Sequence, residues 1–223
     1  MAEAALMSSR ITKRHRVAVH DSVSPYYRQV LQTYAQGPEL QVDAVSGHDG
    51  AVTDDTACLL VQQPGFFGYL EDLSPLEELA HSKGALLVVV ADPIHLGIFK
   101  PPGDYGADIV VAEGQSLGVP PSFGGPYVGI FASRDRYLRQ MPGRIVGKTV
   151  DDQGRTGYVL TLQTREQHIR RERATSNICT SVGLIALMAT VFMASYGKQG
   201  LRSIAQLCYH KAHYAASLIE KIP

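Results

Sequence analysis

The chain has 223 residues, of which 45% are hydrophobic and 19% are charged. Its 21 basic side chains equal its 21 acidic ones, and this balance argues against a dedicated binder of nucleic acid or of an anionic membrane. The hydrophobic content excludes an intrinsically disordered chain, and the length suits one domain, or one domain with part of another. The three cysteines have no paired spacing, which favours a reducing cytoplasm over a disulfide framework.

Apolar runs and helical patterns alternate from the start of the chain. The sequence predicts a first helix over 2–13, further helices over 25–37 and 74–84, and strands over 16–20, 40–46, 57–63, 86–92, 108–113 and 127–133. Ser24 and Ser74 precede prolines and are expected to cap the second and third helices. The run LLVVV at 86–90 is apolar at every position, as in a strand covered by helices on both faces. This order predicts an α/β fold.

The segment 134–173 differs in charge from the rest of the chain. It holds ten basic residues, nine of them arginine, against five acidic ones, and a turn at 153–154 predicts a hairpin within it. The stretch 174–197 carries no charge and is long enough to cross a bilayer. Its polar and small residues favour instead a helix buried on nearly all sides, inside a large fold or at a subunit interface. An amphipathic helix is predicted over 198–223.

Two polar side chains follow the most apolar predicted strand. Asp92 and His95 lie where functional groups gather in doubly wound sheets, at the carboxyl end of a strand. They could form an acid–imidazole pair that holds a ligand, or Asp92 could cap the next turn while a backbone carbonyl satisfies His95. Cys208, His210 and His213 share one helix, but no second ligand cluster accompanies them, so no metal site is predicted.

A third group lies at the end of the basic segment. Arginine side chains bind carboxylates and phosphates with two parallel hydrogen bonds. Thr175, Ser176 and Asn177 follow the arginines and precede the uncharged stretch, where hydroxyls and backbone N–H groups at a helix start can hold a phosphate. A helix cap beside a solvated or interfacial ion-pair network explains the same residues equally well.

Three segments, taken in order, closely resemble the glycine cleavage system P-protein family. They are ADPIHLGIFKPPGDYGADIVVAEGQSLGVPPSFGGPYVGIFA at 91–132, MPGRIVG at 141–147 and YVLTLQTREQHIRRERATSNICT at 158–180. The resemblance is to the N-terminal half of the P-protein, which is a separate subunit 1 in many bacteria. It implies the three-layer large domain of pyridoxal-phosphate (PLP) transferases, with a mainly parallel sheet truncated at both ends. Residues 1–197 would belong to that domain, and 198–223 would form a long helix linking to a C-terminal small domain.

The resemblance also implies that one essential group is missing. A PLP enzyme needs a lysine to hold its cofactor covalently. In the catalytic half of the family that lysine follows the strand matching 108–113, and here Ser116 stands at the lysine-like position. The chain is therefore expected to have no catalytic residue of its own and to be inactive alone. Asp92 and His95 would keep vestigial cofactor-site positions.

The function implied is that of a cytoplasmic, pseudo-catalytic subunit of glycine decarboxylase. The enzyme decarboxylates glycine with PLP, held mainly by the partner subunit 2, and transfers the aminomethyl group to the lipoyl group of H-protein. Thr175, Ser176 and Asn177 would contact the phosphate of the partner's PLP. The interface would include four further basic residues: Arg165, His168, Arg170 and Arg171. No nucleic acid or membrane is expected as a partner, and exposed remnants of a dimer interface would favour self-association.

Two other functions fit the sequence. The chain could be a self-sufficient PLP enzyme that uses another lysine, or a purely structural or regulatory subunit with the PLP-enzyme fold. The first requires a lysine of this chain to bind the cofactor covalently, and the second requires residues 165–177 to be dispensable for decarboxylation in a complex.

Overall fold

The computed structural model describes residues 1–47, 52–162, 167–174, 176, 178 and 182–222. These residues include eight strands: β1 (Arg16–His20), β2 (Gln41–Val45), β3 (Thr56–Gln63), β4 (Leu86–Ala91), β5 (Ile109–Glu113), β6 (Gly129–Ser133), β7 (Ile145–Val150) and β8 (Thr156–Thr161). The helices are α1 (Ala2–Thr12), α2 (Pro25–Ala35), α3 (Leu73–Ser82), the short α4 (Gln167–Arg170) and the long α5 (Gly183–Ile219). The six strands and three helices predicted in the first part of the chain are all confirmed, with ends that shift by at most two residues.

The first six strands form one sheet in the order β2-β1-β3-β4-β5-β6. All neighbours in it run parallel except β5 and β6, which pair antiparallel. Every residue of β4 is buried, as its uninterrupted apolar sequence predicted. The strand lies between β3 and β5, so its carboxyl end opens at the centre of the sheet edge.

Helices cover both faces of this sheet. On one face, α1 and α2 contribute Met7 and Leu31 to a cluster that includes Val88. On the other face, α3 contributes Leu76 to a second cluster with Val89. Adjacent residues of β4 thus enter opposite clusters because successive side chains of a strand point to opposite faces. The result is a three-layer α/β domain, as the sequence predicted.

The capping predictions hold only in part. Pro25 is the first residue of α2 and Ser24 precedes it, but the Ser24 side chain makes no capping hydrogen bond. The prediction that Ser74 caps α3 is wrong, since Asp72 occupies that position and its carboxylate accepts from the Ser74 N–H at 3.0 Å. Aspartate and serine are comparable caps, and the helix begins at the earlier of the two.

An ion-pair network joins helix and sheet at the amino end of β5. The Asp108 side chain is fully buried, and its carboxylate accepts from His81 Nε2 at 2.7 Å, Arg136 Nη2 at 2.8 Å and the Leu87 N–H at 3.1 Å. The other ring nitrogen of His81 lies 2.6 Å from a carboxylate oxygen of Glu77. Both nitrogens of this imidazole therefore face carboxylates, so α3 is tied to the start of β5 by charge-assisted hydrogen bonds.

Strands β7 and β8 form a separate antiparallel hairpin, as predicted from the turn at 153–154. Asp151 orders this turn: its carboxylate accepts from the backbone N–H groups of Gln153 and Arg155, each at 2.9 Å, and pairs with the Arg155 side chain at 2.8 Å. Those hydrogen bonds lower the pKa of Asp151 below its ordinary value.

The long helix α5 consists of two segments that meet at Gly197. This residue has φ 61° and ψ −175°, a backbone conformation outside the helical region that glycine adopts without a steric penalty. The break falls at the domain boundary predicted from the sequence, and the linking role of 198–223 stays a prediction. Within the described part of the chain, no helix combines the length and the apolarity that a bilayer-spanning segment requires.

The first segment of α5 is more exposed than predicted. Leu184, Leu187 and Val191 are 71%, 57% and 55% exposed, whereas Ala189 on the opposite side is buried. Of the two predicted settings, burial inside this chain is wrong, and burial at a subunit interface stays a prediction. The buried side packs with Phe192 against the loops that follow β4 and β5, in a third apolar cluster.

Candidate functional site

The candidate site lies at the carboxyl ends of β3, β4 and β5. Ala91 pairs with Ala112 in the parallel register of β4 and β5, so the next residues, Asp92 and Glu113, end neighbouring strands. Val90 and Val111, two positions earlier, both face the cluster beneath α1 and α2. Because strand side chains alternate, Asp92 and Glu113 continue toward the same face of the sheet. Two carboxylates are thereby brought to one edge by sheet register.

Asp92 serves as a local cap and also faces the site. Its Oδ1 accepts from the Ile94 N–H at 2.8 Å, and more weakly from the His95 N–H at 3.4 Å. The His95 Nδ1 atom lies 3.3 Å from Asp92 Oδ2 but is buried without a hydrogen bond of good geometry. The structure thus brings Asp92 and His95 together as predicted. Asp92 can therefore cap the turn through one carboxylate oxygen and still face the site.

Glu113 is held in place by the backbone of the following loop. Its Oε1 accepts from the Val128 N–H at 2.9 Å and the Gln115 N–H at 3.1 Å. Tyr27, near the start of α2, faces the two carboxylates from across the site. Burial, then the negative charges of Glu113 and Asp92, raise the pKa of Tyr27 above its ordinary value. The phenol therefore keeps its proton at neutral pH and can donate a hydrogen bond.

These groups line a cavity of about 630 Å³. Its remaining walls come from Gln62, from the loop 64–70, and from the second segment of α5. Aromatic rings make up much of the surface: Phe99 stacks on His95 with ring centroids 5.9 Å apart, and Tyr209 meets Phe99 edge-on at 6.5 Å. A cavity of this size with a few convergent polar groups at a sheet edge has the form of a small-molecule site.

Only some of the residues that line this cavity were predicted from the sequence. Strand-end position pointed to Asp92 and His95, and the same rule applied to the next strand would have identified Glu113. Tyr27, Tyr209 and the loop 64–70 come from distant parts of the chain. The sequence offers no signal that they meet.

Comparison with known proteins identifies the family. The model of the glycine cleavage system P-protein family matches residues 1–222. The chain belongs to the glycine cleavage system P-protein family. It is 53% identical to a probable glycine dehydrogenase (decarboxylating) subunit 1 of Desulforamulus reducens, and 52% identical to one of Thermomicrobium roseum. Each comparison covers all of this chain and 52% of the relative, so the chain spans about half the length of these relatives.

Solved structures agree with this family. A crystal structure of glycine decarboxylase (P-protein) of the glycine cleavage system, in inhibitor-bound form, superposes with a TM-score of 0.95 at 45% identity, covering all of this chain and 52% of that one. A cysteine desulfurase from Escherichia coli shares the fold at 15% identity, with a TM-score of 0.59. The chain therefore has the α/β fold of PLP-dependent enzymes, as the sequence predicted.

This cavity at the strand ends, the strand-end cavity, does not fit PLP. All seven lysines lie among the described residues, and none lines the cavity. Lys100, the lysine nearest to Asp92 in the sequence, has its Nζ 3.9 Å from the centroid of the Tyr105 ring. Among the residues that the structure describes, the wall holds no lysine or arginine for a phosphate, and it holds the carboxylates of Asp92 and Glu113. The phosphate of PLP would therefore find no lysine or arginine to bind it, and the aldehyde of PLP would find no lysine with which to form an imine.

None of the other predicted site residues that the structure describes lines this cavity. Ser116 is exposed in the turn that follows β5. Thr175, Asn177 and Arg165 lie outside the described residues. Ser176 is half-buried, and its hydroxyl accepts from the Ile178 N–H at 3.2 Å.

The remaining interface predictions concern α4 and the turn after it. His168 and Arg170 belong to α4, Arg171 begins the following turn, and all three are exposed. Arg173 lies 3.9 Å from Glu172, which makes it a weak, solvated ion pair. The basic segment thus presents cations at the surface just before α5.

Proposed function

We propose that this chain is part of subunit 1 of a glycine decarboxylase and does not itself bind the cofactor covalently. The enzyme would decarboxylate glycine with PLP and transfer the aminomethyl group to the lipoyl group of H-protein. Subunit 2 would hold the PLP, and this chain alone would be inactive. The proposal is supported by relatives named subunit 1 that match all of this chain, at up to 53% identity.

The assignment of covalent PLP binding to subunit 2 is supported by one observation: none of the seven lysines of this chain, all of them described, lines the strand-end cavity. In a PLP enzyme the cofactor supplies the electron sink for loss of CO₂, and the protein supplies the lysine and the phosphate contacts. Ser116 cannot replace the lysine because a hydroxyl forms no imine. Asp92 and His95 then occupy vestigial positions, where Asp92 still caps the turn after β4.

The proposed contact with subunit 2 involves the end of the basic segment and the first segment of α5. Leu184, Leu187 and Val191 form an exposed apolar stripe on that segment, as at protein interfaces. The arginines that precede the stripe would shape the rim, and Thr175, Ser176 and Asn177 would contact the phosphate of the partner's PLP. The same stripe would drive self-association when subunit 2 is absent.

Cofactor trapping tests the proposal directly. The isolated chain and the chain co-purified with subunit 2 are each treated with equimolar PLP and then with borohydride, and the modified lysines are found by peptide mass spectrometry. We expect stoichiometric modification on subunit 2 and none on this chain. Stoichiometric labelling of a single lysine here would contradict the proposal and favour the self-sufficient PLP enzyme.

A substitution tests the phosphate contact. Thr175→Ala in the reconstituted complex is expected to weaken PLP retention about tenfold, because a hydrogen bond to a charged group contributes about 1.5 kcal/mol or more. Dialysis followed by absorbance of the retained cofactor measures this. Thr33→Ala, on the exposed side of α2, is the matched control and should retain PLP normally. Unchanged retention in Thr175→Ala, with intact decarboxylation, would favour the purely structural subunit.

Two further features fit this assignment. Of the cysteines described, Cys58 and Cys208 are both free thiols, which suits the reducing cytoplasm that we propose for the enzyme. Burial raises the pKa of Cys58 to about 12, so this thiol is chemically inert in the folded chain.

Residues 198–223 are proposed to link to a C-terminal small domain.

A further inference from the structure

We infer that the strand-end cavity binds a small organic cation, an alkyl- or arylammonium ion, between the carboxylates of Asp92 and Glu113 and the aromatic wall. The inference goes beyond the proposed function, because it assigns a ligand to the strand-end cavity, which does not fit PLP. The cation site could exist even if the proposed function were wrong, and the proposed function could be right without the cation site.

The two carboxylates are fixed in position, and among the described residues neither pairs with a lysine or arginine, although His95 Nδ1 lies 3.3 Å from Asp92 Oδ2. Asp92 Oδ1 and Glu113 Oε1 accept backbone N–H groups, which orient both side chains but bring no formal charge. Both residues line the cavity, and both raise the pKa of Tyr27, so their charges act on the same space. Two negative charges that converge in this way attract a cation and repel an anion.

The basic side chains that line the cavity are the imidazoles of His95 and His213. Among the described residues no lysine or arginine lines it, although Lys100 and Arg202 line the adjacent cleft. Phe99 and Tyr209 contribute to both cavities and separate them. The charge is therefore segregated, with carboxylates on one side of these two rings and cations on the other. A ligand would have to supply a permanent positive charge, because the described wall holds imidazoles but no lysine or arginine.

The aromatic wall suits an organic rather than an inorganic cation. Tyr27, Phe66, Phe99 and Tyr209 all line the cavity, and the face of an aromatic ring attracts a desolvated ammonium group. The volume of about 630 Å³ is large for a metal ion and appropriate for a small organic molecule. The neutral phenol of Tyr27 adds a hydrogen-bond donor or acceptor beside the carboxylates.

Calorimetric titration of the intact chain tests this site. The probes are benzylamine, its neutral analogue benzyl alcohol, the anion benzoate, and PLP. Benzylamine is expected to bind at one site, at least tenfold more tightly than benzyl alcohol, and neither anion should bind there. The isosteric variants Asp92→Asn and Glu113→Gln keep an oxygen for the backbone N–H groups, and each should weaken benzylamine about tenfold.

Two controls separate charge from folding. Glu78→Gln removes an exposed carboxylate on α3 and should bind benzylamine like the parent chain. Tyr209→Leu keeps an apolar side chain, removes a ring face and should also weaken benzylamine. Absence of benzylamine binding, equal affinity for benzoate, or unchanged binding in both amide variants would each overturn the inference. Circular dichroism of every variant establishes that the helices are intact.

Discussion

Replacing Asp108 with alanine is expected to lower the free energy of unfolding by about 3 kcal/mol. The carboxylate is fully buried and accepts hydrogen bonds from His81, Arg136 and the backbone N–H of Leu87. Removing it leaves the Leu87 N–H buried without an acceptor, which costs about 1–3 kcal/mol by itself. The lost charge-assisted bonds and the small cavity add to this.

The donors do not contribute equally to that loss. The Arg136 side chain is 59% exposed and can turn to water once its partner is gone, so little of its charge remains unsolvated. The backbone N–H of Leu87 cannot move away, because Leu87 lies inside β4. Arg136→Ala should therefore cost much less than Asp108→Ala, about 1 kcal/mol or below.

Urea unfolding followed by circular dichroism at 222 nm measures these differences, since the chain has no tryptophan. Asp104→Ala removes an exposed carboxylate near the same end of the sheet, and should change stability by no more than about 0.5 kcal/mol. Asp108→Asn retains the shape and one acceptor and should fall between the alanine variant and the parent. If Asp108→Ala proved as stable as Asp104→Ala, the network would contribute nothing measurable to the free energy of unfolding.

The Asp108 network also changes the meaning of the basic segment. The net positive charge of this segment suggests an interface role for its arginines as a group. Two of them instead support the fold: Arg136 binds Asp108, and Arg134 donates to the carbonyl of Gly106 at 2.6 Å. Arg155 orders the hairpin turn through Asp151. The exposed Arg171 and its neighbours at the start of α5 therefore carry the interface proposal, and the net charge of the whole segment does not.

Strands were predictable here because their signal is local. The run 86–90 is apolar at every position, and only a strand covered on both faces needs that pattern. Placement of Asp92 and Glu113 at one sheet edge follows from the same reasoning, since parallel strands end together. The family resemblance supplied the three-layer architecture, and the comparisons confirm it.

What could not be predicted depends on contacts between distant residues. Asp108 pairs with His81 and Arg136, which lie 27 and 28 positions away, and no spacing in the sequence marks such a network. The aromatic wall likewise depends on where the second segment of α5 packs, which brings Tyr209 to Phe99. The apolar stripe on the first segment could be covered by this chain or by a partner, because hydropathy records apolarity and does not show what covers it.

The position of α5 is expected to be most sensitive to Gly118. This residue lies in the loop after β5 with φ +86°, and an added Cβ would lie 2.6 Å from Phe192 Cδ2 and 2.8 Å from Phe192 Cβ. Gly118→Ala would combine left-handed backbone strain of about 1 kcal/mol with overpacking of about 1–3 kcal/mol. The helix must then move away from the loop, so we expect a loss of about 2–4 kcal/mol and faster amide hydrogen exchange in the first segment of α5.

Gly154→Ala separates the two causes. Gly154 also has a positive φ, of +76°, but an added Cβ would meet no atom within 4 Å, so only backbone strain applies. Truncating the ring in Gly118→Ala/Phe192→Ala should relieve part of the clash and give a non-additive double-mutant cycle, although the Cβ of residue 192 remains in place. If Gly118→Ala destabilised the chain no more than Gly154→Ala, without altered exchange in α5, close packing of this helix on the loop would be excluded. The apolar stripe that we assign to the subunit interface would then lack a fixed support.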